Sequence, residues 1–347
     1  MFPIIPANSA TGASANSEGI FGYGGTPSNT AVTNLVSNAG VVASDTTGVG
    51  TARKNVAGCE YGGDKGIFGF GSAAGVTAVT NLVSNAGVVG TDLTGVGTAR
   101  DNPGACEYGG DKAIFGFGYY SGVQSMTNLV SNAGVVASDT TGVGTARYWL
   151  AACEYDEDKG IFGFGGGIGR SAITNLVSNT GVVASDQATV TGTAREGPAA
   201  CGYGGDKGIF GFGSAAGVTA VTNLVSNAGV VGTDVTGVGT ARNALAACEY
   251  DEDKGIFGYG YTGSGVSMTN LVSNAGVVAT DVAGVGTGRR RLAATQYGGD
   301  KGIFGYGRST GSVYESITNL VSNAGVVATD TAGVGTTRYG VAACSFN

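Results

Sequence analysis

The hexapeptide Thr-Asn-Leu-Val-Ser-Asn occurs seven times, beginning at Thr33, Thr80, Thr127, Thr174, Thr222, Thr269 and Thr318, at intervals of 47, 47, 47, 48, 47 and 49 residues. Units this alike cannot each enclose a private core, so each must bury its apolar faces on its neighbours. The 347 residues therefore read as one array rather than the two or three domains their number would suggest.

Residues 100–147 show the unit. A run Ala105-Cys106-Glu107-Tyr108 meets the turn Gly109-Gly110-Asp111, and a second run spans Lys112 to Gly118. A loop of varying sequence leads to a third run, Ser125 to Ser131. After Asn132-Ala133-Gly134 a fourth extends from Val135 to Asp139, and Thr140 to Arg147 carries the chain onward. Short β-branched or aromatic runs punctuated by Gly, Asn and Asp predict strands and turns, and no segment carries helical periodicity. Gly reaches 67 residues against only 5 Pro, and the glycines recur at fixed places, which marks them as turns and close backbone contacts rather than low complexity. Four strands per unit and seven units match the blade size and blade number of a closed ring. The predicted fold is an all-β, seven-bladed β-propeller with four antiparallel strands per blade.

The Arg-led strand Arg147 to Tyr155, followed by Gly160-Ile161-Phe162-Gly163-Phe164-Gly165, resembles the kelch repeat, and the resemblance extends over all seven units. An aromatic residue separates the paired glycines, and the sole Trp, Trp149, stands away from the outer strand. The repeats are also similar to Gly-rich repeats in proteins of environmental phages. The kelch likeness implies that the C-terminal strand is innermost. The two ends agree with closure: the chain enters at the second strand, Gly19 to Gly24, and finishes with the missing first one, Arg338 to Phe346. Pairing of the last strand with the first blade would leave no open edge. Residues 19–347 are expected to form the propeller, and residues 1–18 an N-terminal arm, read as an extended strap in preference to a disordered tail, the alternative being a docking peptide for a larger assembly.

The chain contains no His, which removes the commonest general base, metal ligand and nucleophile partner. No catalytic residue, cofactor or metal is assigned, and the chain is expected not to be an enzyme. A net charge of -7 disfavours nucleic acid as a partner. The one basic run, Arg289 to Arg291, reads as a solvated turn. Met1 to Glu18 lacks a secretory pattern and no stretch approaches a membrane span, so a monomer that is cytoplasmic or virion-associated is expected, with no membrane partner.

Several residue types recur at one position per unit. Cys59, Cys106, Cys153, Cys201, Cys248 and Cys344, with Thr295 in the seventh place, read as small buried thiols; the alternative is a thiol ring around the axis holding a soft metal. Glu60, Glu107, Glu154 and Glu249 read as solvated charges of the channel or rim, the alternative being a cation site. Asp45, Asp92, Asp139, Asp186, Asp234, Asp281 and Asp330 face seven equally regular arginines, from Arg53 to Arg338, and read as caps or ion pairs that set blade geometry. The hairpin tips carry an Asp-Lys pair such as Asp64-Lys65, and two of them the acidic runs Asp156 to Asp158 and Asp251 to Asp253, solvated tips or cation sites.

What varies is the loop after the second strand, and a second set just after the Arg that includes Tyr148-Trp149, Arg290-Arg291 and Tyr339. Function on rigid scaffolds sits in such loops. Tyr119, Tyr120, Tyr261, Tyr314 and Trp149 are the candidate binding residues, suited to protein or sugar contact or to covering neighbouring blades. A binding or structural scaffold for a protein partner or a larger assembly is expected. A glycan-binding propeller with repeated pockets is the alternative, and a channel-metal enzyme a third reading.

Overall fold

The middle strand of each unit is buried along nearly its whole length. In Lys159–Gly163 the Lys is half-buried and Gly160, Ile161, Phe162 and Gly163 are buried, so a sheet must flank it and a neighbouring sheet must cover each face. The computed structural model, which describes residues 17–187 and 192–346, supplies both. Each blade is an antiparallel sheet of an inner, a middle and an outer strand. In the fourth these are Ala151–Tyr155, Lys159–Gly163 and Thr174–Val177, with Ile161 opposite both Cys153 and Leu176. The seven blades form the β-propeller.

The fourth run is present but is not a continuous strand. In the third blade it is held by bridges between Val130 and Val136 and between Thr127 and Thr140, and by the Ala137 amide donating to the Leu129 carbonyl at 2.8 Å. Val135 is 66% exposed, so little apolar burial supports a longer ladder at this outer edge. The interrupted pairing also leaves no long exposed edge for another sheet to join.

Contacts between blades use glycine where nothing larger fits. A Cβ on Gly69 would lie 2.7 Å from the Phe115 ring of the following blade, so the backbone there is the surface on which that ring rests. The residue after this glycine is aromatic in every blade and left-handed, as in Phe70 (φ 61) and Tyr306 (φ 63). Such a conformation costs about 1–2 kcal/mol for an L-residue. It aims the ring beneath an arginine of the next blade: the Arg100 guanidinium lies 4.0 Å from the Phe70 ring centre.

That arginine is the hub of a repeated clasp. Arg100 is fully buried, its Nη2 donating to Asn128 Oδ1 at 2.6 Å and its Nη1 to the Thr98 carbonyl at 2.9 Å. Asn128 Nδ2 donates to Asp139 Oδ1 at 3.0 Å, and the Thr98 hydroxyl donates to Asp139 Oδ2 at 2.7 Å. These bonds hold Asp139 below the usual carboxylate range against the opposing effect of its partial burial, which heads the influences on it. The Asp and Arg series thus sets blade geometry, and Arg289 belongs to it: fully buried on Asn319 rather than part of a solvated basic turn.

Head and tail join through the same parts. The strand Ala342–Phe346 pairs with Glu18–Gly22, in register from Glu18 opposite Phe346 to Gly22 opposite Ala342, and Glu18–Gly22 pairs in turn with Thr33–Val36. The Thr336 hydroxyl donates to Asp45 Oδ2 at 2.6 Å and Arg338 Nη2 to Asn34 Oδ1 at 2.6 Å. The C-terminal strand is the innermost of its blade, as the sequence resemblance implied. Glu18 therefore belongs to the ring, while the arm expected over residues 1–18 otherwise lies, up to residue 16, outside the described residues. No helix among the described residues is long and apolar enough to cross a membrane.

Candidate functional site

The two variable sets occupy one face. In each unit the residue after the Arg bridges to the loop that follows the middle strand: Lys54 to Ser72, Asp101 to Tyr119, Tyr148 to Gly166, Asn243 to Tyr261, Tyr339 to Gly25. In the seventh blade the contact is a short ladder, Arg290 to Arg308. The two sets lie some eighteen residues apart along the chain in each unit, so only the fold brings them together.

One residue further on, the seven chains turn at the mouth of the central channel. Asn55, Asn102, Trp149, Gly197, Ala244, Arg291 and Gly340 all have φ between 50 and 61°, one per blade. Their backbones are stitched around the axis: the Asn55 amide donates to the Gly340 carbonyl at 3.0 Å, Gly340 to Arg291 at 3.0 Å and Arg291 to Ala244 at 2.9 Å. Gly and Asn accept this conformation readily, whereas Trp149 and Arg291 do so at a cost of about 1–2 kcal/mol each. Small residues at 197, 244 and 340 leave space, and Trp149 and Arg291 close over it with the guanidinium 5.7 Å from the indole centre. Beneath lies an apolar collar including Leu150, Leu245 and Leu292, and the resulting cavity holds about 420 Å³. Trp149 Nε1 donates to Asn102 Oδ1 at 2.9 Å, which fixes the indole.

The five aromatic residues singled out from the sequence fall in three places. Tyr119 and Trp149 flank Tyr148, with ring centres 5.5 and 5.1 Å from it, and Tyr120 stands beside them, 50% exposed. Tyr261 joins Trp149 in lining the mouth cavity and lies under Arg290, whose guanidinium is 4.0 Å from its ring centre. Tyr314 is elsewhere, stacked on Tyr339 at 5.2 Å. Arg290, Arg291, Asn55 and Asn102 were missed as mouth residues. The signal was available as the dipeptide after each Arg, the one short stretch where every unit differs.

The opposite end of the channel is acidic. The inner strands alternate, so Cys59 is buried between blades and Glu60 turns toward the axis. The thiols point into neighbouring glycines: a Cβ on Gly160 would sit 2.6 Å from Cys106 Sγ. They are small buried packing groups, not a ring of ligands, and burial pushes the Cys153 thiol far above the ordinary thiol range, so it stays protonated and unreactive. Glu60, Glu107, Glu154 and Glu249 line a central cavity of about 210 Å³, and Ser345 and Gln296 complete the circle, the former bonded to Glu60 and the latter to Glu249 at 3.4 Å.

These carboxyls are half-buried in the channel, more sheltered than the solvated charges expected from the sequence. Burial first, and repulsion from Glu60 and Glu249 second, raise Glu154 to about 8, and burial raises Glu249 to about 7. Burial and its acidic neighbours likewise raise Glu107 well above the usual range. A Glu in the unfolded chain titrates near 4.3, so between that pH and about 8 the folded state binds more protons and its stability falls as pH rises. The clasp aspartates, held low, act oppositely and lose their contribution only below about pH 4. Thermal unfolding across pH 5 to 9 is therefore expected to show the highest melting temperature near pH 5. A loss on the order of a few kcal/mol should follow by pH 9, and Glu154→Gln should flatten the slope.

At the hairpin tips, Lys65 pairs with Asp64, and Asn85 donates to Asp64 at 3.1 Å. Asp156 is occupied by Lys159, and Asp158 by Asn179 at 3.0 Å. No group of three or more Cys, Asp or Glu among the described residues is arranged to hold a metal ion.

No protein-family model matches the chain, and no curated protein does. A solved structure described as "Structure of YjhT" superposes with a TM-score of 0.60 at 11% sequence identity, covering 80% of this chain and 97% of that one. At that identity the likeness concerns the propeller fold alone.

Proposed function

We propose that the chain is a kelch-like binding scaffold without catalytic activity, which holds a protein partner on its loop face, either singly or as a component of an assembly such as a phage particle. The observation that carries this reading is the contrast between an interior repeated seven times and a single face on which every unit differs. On that face Tyr119, Tyr148 and Trp149 form a cluster of rings, and Ile168 stands fully exposed beside a depression of about 400 Å³ that it shares with Val123. Exposed aromatic and branched side chains gathered in one place are what protein interfaces use as anchors, and a monomer gains nothing by leaving them in water.

The test is affinity capture with the intact protein against a Tyr119→Ser/Tyr120→Ser/Ile168→Ser variant, read by quantitative mass spectrometry. One protein recovered saturably by the first and at least about tenfold less by the second is expected. Equal recovery, or retention of simple sugars on a glycan array in place of any protein, would replace this reading with the glycan-binding one.

A further inference from the structure

We propose that the mouth cavity is a binding site for a small organic acid, its carboxylate held by Arg290 and Arg291 and its planar or apolar body against Trp149, Tyr261 and the leucine collar. The proposal rests on the loop face being the binding face and assigns it a second, recessed ligand.

Three observations support it. A cavity of about 420 Å³ lies within the size range of small-molecule sites, and its composition, an apolar floor with a few convergent polar groups, is theirs too. Among the described residues neither Arg290 nor Arg291 forms an ion pair with a carboxylate; Arg290 lies 4.0 Å over the Tyr261 ring and Arg291 5.7 Å from the Trp149 indole, with the Tyr339 phenol also near Arg291. The lining's single acid, Glu196, is engaged by Arg170 at 3.5 Å. Two adjacent guanidiniums without a counter-charge repel one another, and Arg308 adds to that repulsion: both lower the proton affinity of Arg291, after burial, the larger cause. An anion placed between them removes the penalty and accepts paired donors in the planar geometry a carboxylate offers.

Backbone conformation gives the third observation. Of the seven left-handed mouth residues, the fold is satisfied by Gly, Asn or Ala at five, so nothing in ring closure calls for Trp149 or Arg291. Both strained bulky residues border the same cavity and reach toward each other across its top, which concentrates the departure from the repeat where a ligand would sit.

Trp149 is the only Trp and borders this cavity, so its emission is a single-site probe of the mouth and the ring cluster beside it. Titration of the full chain with benzoate is expected to change that emission saturably, with a dissociation constant of about millimolar order for so small a probe. Benzamide and inorganic phosphate should bind at least about tenfold more weakly, the first lacking the charge and the second the ring. Arg291→Asn, a residue that tolerates the left-handed turn, and Arg290→Gln should each weaken benzoate by about tenfold or more at an unchanged melting temperature. Tyr120→Ser lies outside the cavity and should leave the titration intact, so loss of partner capture and loss of ligand binding are separate results. Equal affinity for benzoate and benzamide, no saturable response to benzoate, or undiminished binding by both arginine variants would overturn the proposal.

Discussion

Removing Val341 to Asn347 is expected to abolish the cooperative unfolding transition of the whole chain and to leave an aggregating product. The deletion takes away the innermost strand of the first blade and its pairing with Glu18–Gly22. It also removes Val341, Ala342, Cys344 and Phe346, each less than 9% exposed, from the contact between the first blade and its neighbours. Full burial of Val or Phe contributes about 1.5–3 kcal/mol each. The opened edge also unseats the clasp in which Thr336 and Arg338 grip Asp45 and Asn34. Against a typical net stability of about 5–15 kcal/mol, these losses leave no margin. Circular dichroism melts and sedimentation of the two proteins decide it, and a truncated chain that melts at the same temperature as the intact one contradicts closure.

Arg195→Met is expected to destabilise the fold by about 3–5 kcal/mol, the range for removing one partner of a buried charged network. Arg195 is fully buried, donates to Asn223 Oδ1 at 2.7 Å and to the Thr193 carbonyl at 3.1 Å, and lies 3.7 Å over the Phe164 ring. Methionine fills the stem's volume but leaves Asn223 Oδ1 without its donor and Asp234 without the neighbouring cation. Lysine at this position should not restore stability, because a single ammonium cannot serve both acceptors while lying flat on a ring. Denaturant unfolding of the two variants measures this, and a loss below about 1 kcal/mol would show that the clasp does not hold the blades.

The ring and its closure were legible because identical units leave few ways to bury their faces, and because the chain's first and last strands complement one another. The clasp was legible as a pattern in Asp139 and Arg147, though not as a network routed through Asn128 and Asn175, which the repeat buries within Thr-Asn-Leu-Val. The fourth run read as a strand from its Val-Val pair, yet Val135 faces outward and the pairing reduces to bridges. Glu154 looked solvated because a linear sequence does not show that six neighbours narrow the channel around it. The mouth was hidden for a related reason: Trp149 and Arg291 are poor candidates for a left-handed turn on propensity, and only the ring of backbone bonds imposes it. Arg289 to Arg291 looked like one solvated run although its members do different things: Arg289 clasps a blade, while Arg290 and Arg291 face the cavity.

The claim on which all of this depends is that the first blade is as complete as the others. Amide hydrogen exchange followed by mass spectrometry measures it directly, comparing Gly19 to Gly22 and Ala342 to Ser345 with Gly160 to Gly163 and Ala151 to Glu154 in the fourth blade. Equal protection in the two blades, lost together in denaturant, is the outcome expected of a ring held shut by its last strand. Exchange of the first blade orders of magnitude faster than the fourth would mean that the ends are not joined.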